Sequence, residues 1–562
     1  MTAHLSNPAA DIDNGFSLLG LRMTRRDALG TALFAVAILL LPLLMLPFNG
    51  SAPSTVYQIA IFGIFAIGFN ILFGLTGYLS FGHAAFVGIG SYAAIWSLKL
   101  LTLNIVPALF VGPIAAGLIA LPIGWLTLRR SGIYFSILTL AFSIMLFIMA
   151  FSVFKDITNG QDGQRTSQFD VRVLDDAFGW NQPEGKSREE VAAAKSALAQ
   201  WNRDLAALKR TDPEVNGRPV DFSNLNDFAI KRLQDAGLPI EARPEQLARP
   251  SIPEFFGTPM NQGYTNFYIC AVVLILTYIF ATLLRRSSFG LMLLAVKTNQ
   301  TRMDYMGLKP KRYTLAAFVV SAMFAGLAGA LFVAMDPNAP PDRMEWTESG
   351  KVVIMNILGG MGSVVGPFIG ALIVKYFGNI ISSIDVDRLT HAIEDALPFP
   401  SFIEWPIAHL PHLFVGEGWE LGMGLVFMLM VIFLPGGGVS LWQRWQVQTK
   451  RLFLLSFGLI YVIYALDRFV MGDALPGWAM FVPLLLFIAY AIIRPIVLWQ
   501  QQRAAKKALA ASEPPTPASS SSSSSSPPSS SSGETGPGEG AATLPHLTRK
   551  TTDPNAPSPA SA

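Results

Sequence analysis

The sequence predicts an all-α fold: a polytopic integral membrane helical bundle with a glycine-broken helix pair, an external helical insertion and a disordered C-terminal tail. Hydrophobic residues make up 51% of the 562-residue chain and charged residues only 14%, whereas soluble proteins carry about a quarter charged residues. The charged residues cluster between long apolar runs. Because a helix needs ~20 apolar residues to cross the hydrocarbon core of a bilayer, we interpret these runs as membrane-spanning helices.

Apolar runs that are candidates for membrane passes follow one another along most of the chain. The run at 352–382 is interrupted by glycines and is predicted as two short helices that meet at a hinge, which gives eleven or twelve passes. Irregular backbone at membrane depth persists only where protein or a water-filled cavity covers it. The runs occupy roughly residues 30–48, 56–75, 80–98, 105–128, 132–154, 264–284, 313–335, 352–382, 419–434, 452–470 and 477–498. The predicted helix breaks are Gly82, Gly359, Gly360, Gly362 and Gly366.

Lysine and arginine residues orient the predicted bundle, because cytoplasmic loops of membrane proteins are enriched in them. Arg25 and Arg26 precede the first run and place the N-terminus in the cytoplasm. The basic loop at 285–312 and the basic residues after position 443 then also fall inside, and the acid-rich loop at 383–418 falls outside. This agreement requires the broken run to count as two passes, and it places the C-terminus in the cytoplasm as well.

The predicted passes divide the chain into a membrane core with several appended segments. In the external insertion, Ser187 and Glu190 have the spacing of a capping box, and a second helix is predicted from Ser223 to about Ala236. The resulting hairpin is a lid, a docking element or a passive addition. The tail has too few apolar residues to offset the entropy lost on ordering. The parts are a cytoplasmic N-terminus (1–29), a first transmembrane half (30–154), an external periplasmic insertion (155–263), a second transmembrane half (264–450) with the loop at 285–312, two additional transmembrane helices (451–499) and a disordered Ser/Pro-rich cytoplasmic tail (500–562).

The placement of ionisable residues bears on the source of energy. We expect the apolar runs to hold no Asp, Glu, Lys or Arg between their ends and hence a pathway without fixed charge, unlike ion-coupled transporters, which usually keep such residues inside the bundle. His83 lies well inside a run, where a hydrogen-bonded packing role is favoured over a proton relay. The chain has no G-x-x-x-x-G-K-[ST] phosphate loop and no zinc-type histidine cluster. We expect no catalytic site, no metal and no cofactor bound by this chain, and no nucleic acid partner, since the net charge is only +3.

Two further features suggest mechanism, each with a simpler alternative. The loop at 285–312 has helical propensity from Leu291 to Met306 and strong terminators at Gly307 and Pro310. A short helix there can dock into a partner, although an ordinary positively charged loop is the alternative. Glycines also crowd the regions 74–90 and 359–370. They either allow close helix packing or form a central pathway from broken helices.

Four segments carry motifs that occur in the order known from one transporter family. They are Gly77–Phe86 with Gly88–Tyr92, Gly132–Phe142, Ala316–Ala330 and Leu358–Pro367. Together these motifs resemble the signature of LivM-type permeases of branched-chain amino acid ABC importers. The resemblance covers roughly 56–165 and 264–437, so most of the insertion, the helices beyond 450 and the tail fall outside it.

The resemblance implies a location in the bacterial inner membrane and a set of partners. They are a second, LivH-type permease, two ATP-binding subunits that hydrolyse ATP, and a periplasmic solute-binding protein. It also implies that 290–310 is the coupling helix that sits on the ATPase, although Lys297–Asp304 replaces the Glu-Ala-Ala-like core that the family usually carries. A Gly-Gly-x-Asp-Gly turn of the family corresponds to Asn159–Gly163. The candidate coupling residues are Asn299, Arg302, Asp304 and Gly307.

These expectations describe a non-ATPase translocation subunit of a binding-protein-dependent importer of branched-chain amino acids. Urea or short amides are the alternative substrates within the importer class. An ion-coupled secondary transporter, and a membrane scaffold or receptor that uses the insertion, are the alternatives from other classes. The candidate pathway-lining residues are Ser80, His83, Phe86, Tyr134, Thr139, Ser349 and Ser363.

Overall fold

The computed structural model describes most of the predicted membrane core. The described residues are 16–18, 21–23, 25–48, 52–166, 170, 172–178, 252–256, 258–260, 263–383, 421–425, 427–428, 436–444, 447–466 and the single positions 468, 483, 486, 487 and 490. The predicted hairpin between Ser187 and Ala236, nearly all of the acid-rich loop at 383–418, and the tail lie outside these residues.

Helices dominate the first half of the chain. The predicted run at 30–48 is interrupted after Leu39, because Pro42 has no N–H to donate to the preceding turn and its ring crowds the carbonyl there. The helices are α1 (Arg25–Leu39), α2 (Leu41–Leu44), α3 (Pro53–Thr76), α4 (Ala84–Leu100), α5 (Ile105–Thr127), α6 (Ile133–Ile148), which continues as a π-helical turn over Met149–Val153, α7 (Lys155–Thr158) and α8 (Val173–Phe178).

The second half is also helical. It contains α9 (Thr265–Arg286), α10 (Ser288–Thr298), α11 (Gln300–Tyr305), α12 (Pro310–Met335), α13 (Trp346–Gly359), α14 (Gly366–Ser383), α15 (Gly437–Arg444) and α16 (Val447–Leu466). Short 3-10 turns occur at Leu46–Phe48, Gly160–Asp162 and Pro341–Met344.

Five helices of the described chain are long and apolar enough to cross a membrane: α3, α5, α6 with its π-helical turn, α9 and α12. Over their most apolar windows, α3 is 94% buried by the rest of the chain and α6 only 22%. α3 is therefore the central helix, and the apolar surface of α6 is left to lipid or to another chain. These observations confirm a polytopic helical membrane fold. The total number of passes stays a prediction.

Small residues bring α4, α5 and α12 close together. A Cβ atom added to Gly90 of α4 would overlap the backbone of Gly326 on α12. The hydroxyl of Ser91 donates to the carbonyl of Gly329 across 3.0 Å. Small residues and interhelical hydrogen bonds are what hold helices together where lipid removes the hydrophobic drive for association.

The predicted glycine-broken helix pair is present. α13 ends at Gly359, and Gly360 has a φ of +107°, a conformation that side chains rarely adopt. α14 begins at Gly366, whose N–H donates to the hydroxyl of Ser363 across 2.8 Å. A Cβ on Gly370 would overlap the carbonyl of Met355, so the two helices pack backbone to backbone.

Two-residue strands join loops at the end of α12 that lies away from α10 and α11. β3 (Gln164–Arg165) pairs antiparallel with β6 (Asn338–Ala339), with Gln164 opposite Ala339. The Asn159–Gly163 turn precedes β3, and Gly163 has a φ of +70° where a Cβ would meet the Ala339 carbonyl oxygen at 2.5 Å. Only glycine therefore fits where the backbone at 163 approaches Ala339.

Two other short strand pairs occur in the described residues. They are β1 (Phe16–Leu18) with β2 (Leu21–Met23), and β4 (Glu254–Phe255) with β5 (Thr258–Pro259).

Both ends of the 155–263 insertion are attached to the last turn of α4 and the loop that follows it. On the first side, the N–H of Arg172 donates to the carbonyl of Lys99 across 3.1 Å. On the second side, the N–H of Glu254 donates to the carbonyl of Leu103 across 3.1 Å. The buried carboxylate of Asp175 reinforces the first attachment, because it accepts from the Thr102 hydroxyl at 2.6 Å and from the Leu103 N–H at 3.1 Å.

Candidate translocation pathway and coupling surface

The segment between α3 and α4 is irregular backbone inside the bundle. Gly77 ends α3 in the left-handed conformation (φ +79°), and the chain stays non-helical until Ala84. Ser80 and His83 are fully buried in this segment. A Cβ on Gly82 would overlap the carbonyl of Thr139 on α6, so glycine lets the segment pass close to that helix.

His83 stands at the centre of a polar and aromatic cluster. Its Nδ1 lies 3.3 Å from the Ser80 hydroxyl and its Nε2 lies 2.7 Å from the hydroxyl of Ser321 on α12. The rings of Phe69, Phe86 and Phe318 surround it edge-on at centroid distances of 5.2, 5.5 and 5.6 Å. Hydroxyl groups occupy both ring nitrogens, an arrangement that supports a packing role over a proton relay.

The other predicted lining residues occupy different surroundings. Ser349 adjoins the His83 cluster, because its hydroxyl accepts from the N–H of Ala84 across 2.8 Å. Thr139 is buried against Gly82, and Ser363 is half-buried in the break between α13 and α14. Tyr134 is 71% exposed at the start of α6 and is not brought to this cluster. The role of all these residues as pathway lining stays a prediction.

Two members of the cluster were missed at the level of sequence. Phe318 and Ser321 lie on one face of α12, three residues apart, and both contact His83. A polar serine at helical spacing within an apolar run was the available signal. Its partner is 238 residues away in the chain, and no local pattern joins the two.

The expectation that the apolar runs hold no charged residue between their ends is wrong. Lys375 lies in the interior of the 352–382 run, on α14, with its ammonium 3.5 Å from the centroid of the Phe62 ring. It lines a cavity of about 270 Å³ together with four other charged side chains. The cavity lies at the C-terminal end of α12, opposite to the end that follows α10 and α11. Its charged lining residues are Asp336, Asp342, Arg343, Glu348 and Lys375.

Arg343 lies in the 3-10 turn that follows α12, and its side chain is largely buried. Its Nη2 is 3.6 Å from the Asp336 carboxylate, and its guanidinium lies 5.2 Å from the centroid of the Phe332 ring. Its Nη1 is buried and has no hydrogen-bond partner among the described residues. Burial lowers the pKa of Arg343 to about 10, and the nearby Asp336 opposes this shift. The side chain therefore remains positively charged at neutral pH.

The predicted coupling loop contains two helices rather than the single helix predicted from Leu291 to Met306. The backbone of Asn299 is extended (φ −162°) and separates α10 from α11. Its side-chain carbonyl accepts from the N–H of Arg302 across 2.9 Å, so Asn299 is the N-cap of α11. The preference of asparagine for that position overcomes the helical propensity on either side. Gly307 follows α11 with a φ of +78°, as a helix terminator does.

The surface of α11 is open to a partner. The candidate coupling residues Asn299, Arg302, Asp304 and Gly307 are all exposed. Tyr305 and Met306, which the sequence did not single out, are 87% and 61% exposed. A neighbouring cavity of about 740 Å³ is lined mainly by polar and charged residues, among them Arg129, Gln300, Asp304, Lys309, Lys311 and Arg312.

A continuous series of contacts joins α11 to the His83 cluster. Gln300 donates from Nε2 to the Tyr78 hydroxyl across 3.2 Å. The Tyr78 ring packs on Phe135 at 5.1 Å between centroids, and Phe135 packs on Phe318 at 6.0 Å. Phe318 in turn contacts His83. These contacts connect α11 through packed aromatic rings to the buried His83 cluster.

Comparison with known proteins identifies a family and several relatives. A family described as "Branched-chain amino acid transport system / permease component" matches residues 52–434. The high-affinity branched-chain amino acid transport system permease protein LivM of Escherichia coli (strain K12) is 27% identical over 316 residues, which are 56% of this chain and 59% of that relative. LivM of Salmonella typhimurium is 23% identical over 316 residues, again 56% of this chain and 59% of the relative.

A relative named for a different solute matches a shorter part of the chain. The autoinducer 2 import system permease protein LsrC of Klebsiella pneumoniae is 28% identical over 173 residues, which are 29% of this chain and 48% of that relative. The chain spans about three fifths of the length of the LivM relatives it matches. No solved structure matches the chain.

Proposed function

This chain belongs to the family of permease components of branched-chain amino acid transport systems, and on that premise we propose that it is the translocation subunit of an ATP-driven, binding-protein-dependent importer of branched-chain amino acids. It is a multi-pass protein of the bacterial inner membrane with both termini in the cytoplasm. The names of the LivM relatives support branched-chain amino acids as the solute. Because the identity to LivM is modest and LsrC belongs to an autoinducer 2 import system, the identity of the solute is the part of the proposal to be tested.

The energy for transport comes from partner chains. Two ATP-binding subunits hydrolyse ATP, and this chain binds no cofactor and catalyses no reaction itself. A second, LivH-type permease completes the pathway across the membrane, and a periplasmic solute-binding protein delivers the solute. The exposed apolar surface of α6, including Tyr134, suits contact with the second permease.

The contacts between α11 and the α3–α4 segment carry this proposal. The ATP-binding subunits dock on the exposed residues Asn299, Arg302 and Asp304, with Gly307 fixing the end of α11. Closure of these subunits displaces α11, and Gln300 and Tyr78 transmit the displacement to the segment that holds Ser80 and His83. Packed side chains and rigid elements of this kind carry coupling between distant sites.

The solute follows a path beside the irregular segments of the bundle. The proposed lining is contributed by Ser80, His83, Phe86, Thr139 and Ser349 around α4, and by Ser363 at the break between α13 and α14. Irregular backbone inside a membrane protein occurs where it lines a cavity or is covered by protein. In this proposal, movement of these irregular segments opens and closes the path.

Uptake by host cells with and without this gene, before and after ATP depletion, tests the function. We expect loss of ATP-dependent leucine uptake in cells that lack the gene. Loss of urea uptake with unchanged leucine uptake would retain an ABC importer and change its solute. Leucine uptake that survives ATP depletion but stops when the proton gradient is dissipated would instead support an ion-coupled transporter.

A further inference from the structure

The cavity of about 270 Å³ at the C-terminal end of α12 has a lining that the coupling mechanism does not use. Two cations face it, Arg343 from the 3-10 turn after α12 and Lys375 from α14. Acidic side chains face the same space; Glu348, in the first turn of α13, also accepts a hydrogen bond from the Lys351 ammonium across 2.9 Å. The cavity therefore offers positive and negative groups within one small volume.

The two cations are held on a pair of aromatic rings. The Lys375 ammonium lies 3.5 Å from the centroid of the Phe62 ring, and the Arg343 guanidinium lies 5.2 Å from that of Phe332. Phe62 and Phe332 meet edge to face with centroids 5.3 Å apart. Cation–π contacts hold the charges in place and leave their N–H groups able to donate hydrogen bonds.

Arg343 retains donor capacity within this arrangement. Its Nη1 is buried and unpartnered among the described residues, and the Asp336 carboxylate is 3.6 Å from Nη2, longer than a strong charged hydrogen bond. A buried N–H group without a partner costs about 1–3 kcal/mol relative to a paired one. Nη2, which is not among the enclosed atoms, is the donor that a carboxylate in the cavity would meet, and guanidinium groups suit carboxylates geometrically.

We propose that this cavity is a reception site for a small zwitterion, in which Arg343 and Lys375 bind the carboxylate and Glu348 faces the ammonium group. The proposal rests on the proposed import function and places recognition of the solute's charged end in this chain as well as in the binding protein. The apolar part of the solute lies against Phe62 and Phe332. The solute then moves past α4 when the bundle changes conformation.

Binding of labelled leucine to the complete transporter in lipid nanodiscs, without binding protein, tests the site. We expect wild-type complex to bind leucine, and unlabelled leucinamide, which lacks the carboxylate, to compete at least about tenfold less well because the charged hydrogen bonds are lost. Arg343→Gln and Lys375→Met should each weaken leucine binding at least about tenfold. Arg343→Lys should retain part of the affinity, which a purely structural role for the planar guanidinium does not predict.

Arg165→Gln is the matched control, because it removes an exposed positive charge near the same end of the bundle without touching the cavity. It should leave leucine binding unchanged. If Arg343→Gln fails to assemble, Lys375→Met and the leucinamide competition decide the question on assembled protein.

The outcomes separate this proposal from the proposed function. ATP-dependent leucine uptake with unaltered leucine binding in Arg343→Gln and Lys375→Met would overturn the reception site and leave the function intact. Absence of any ATP-dependent amino acid uptake by the wild-type transporter would overturn both. Variants that lose only affinity for the binding protein would show that the cavity receives a side chain of that protein, and would also overturn the proposal.

Discussion

The ammonium group of Lys297 on α10 donates a hydrogen bond to the backbone carbonyl of Gly74 across 2.9 Å. Gly74 lies in the last turn of α3, just before Gly77 ends that helix. The carbonyls of a last helical turn have no partner within the helix and attract cations. Lys297 therefore joins the coupling surface to the point where the irregular α3–α4 segment begins.

Lys297→Met removes this donor and should uncouple ATP hydrolysis from transport. We expect ATP-dependent uptake to fall about tenfold, the change that corresponds to loss of one charged hydrogen bond, while the ATPase rate of the assembled transporter is maintained. Uptake and ATP hydrolysis are measured on the same proteoliposomes. Lys297→Arg keeps a donor and should retain most of the uptake; equal loss in both variants would show that the hydrogen bond is not the coupling element.

Tyr305→Ala should weaken assembly with the ATP-binding subunits. Tyr305 is 87% exposed on α11, and an exposed tyrosine at the centre of an interface commonly contributes ~2 kcal/mol or more to binding. Copurification of the ATP-binding subunits should fall roughly thirtyfold. Thr301→Ala, an exposed position of the same helix, is the control and should copurify normally. Normal copurification of Tyr305→Ala would place the docking surface elsewhere.

His83→Leu should destabilise the bundle through the hydroxyls that it leaves unpaired. Each buried polar group without a partner costs about 1–3 kcal/mol. Because His83 bonds Ser321 at 2.7 Å, the double variant with Ser321→Ala should lose less stability than the sum of the single variants, by about 1 kcal/mol. Unfolding in detergent by tryptophan fluorescence gives these values. Strict additivity would mean that the pair contributes no coupling.

Gly359→Ala should disrupt the α13–α14 pair, because the added Cβ would overlap the carbonyl of Gly366. Overpacking of this kind costs about 1–3 kcal/mol or more. The matched control is Gly362→Ala, whose Cβ would have no atom within 4 Å and which should change stability by less than about 0.5 kcal/mol. Thermal unfolding of the two variants in detergent makes the comparison, and similar midpoints would contradict the close packing.

Asp175→Asn should loosen the first attachment of the insertion. The carboxylate of Asp175 accepts two hydrogen bonds, from Thr102 and from the Leu103 N–H. An amide would turn its NH₂ group towards one of these donors, at a cost of about 1–3 kcal/mol. Faster proteolysis between residues 179 and 251 in the variant is the expected readout, and an unchanged cleavage rate would show that the other contacts suffice.

The spanning helices were predictable because apolar composition over a membrane-spanning length is a local property. The runs at 264–284 and 313–335 correspond to α9 (Thr265–Arg286) and α12 (Pro310–Met335), whose bounds extend only a few residues beyond the runs. The glycine break was predictable for a similar reason, because four glycines and Pro367 fall within the nine residues 359–367 and together lower helical propensity there. Five helices in the described chain have the length and apolar composition expected of membrane spans.

The remaining features depend on contacts between distant parts of the chain. The Asn299 cap divides a stretch that has helical propensity throughout, so propensity alone gave one helix where the structure has two. Lys375 is the single charged residue of the apolar run at 352–382, and its surroundings depend on Phe62, far away in the sequence. The role of Ser321 follows only from its hydrogen bond to His83. In each case the information lies in tertiary packing rather than in periodicity.

The two attachments of the insertion to the last turn of α4 and the loop that follows it have an evolutionary consequence. Since Arg172 and Glu254 both bond to residues between Lys99 and Leu103, the chain leaves and re-enters the bundle at one place. Segments that depart and return at neighbouring surface points tolerate replacement and growth well. Residues 179–251 can therefore diverge, lengthen or be exchanged for a reporter domain without displacing the points at which the chain joins the bundle.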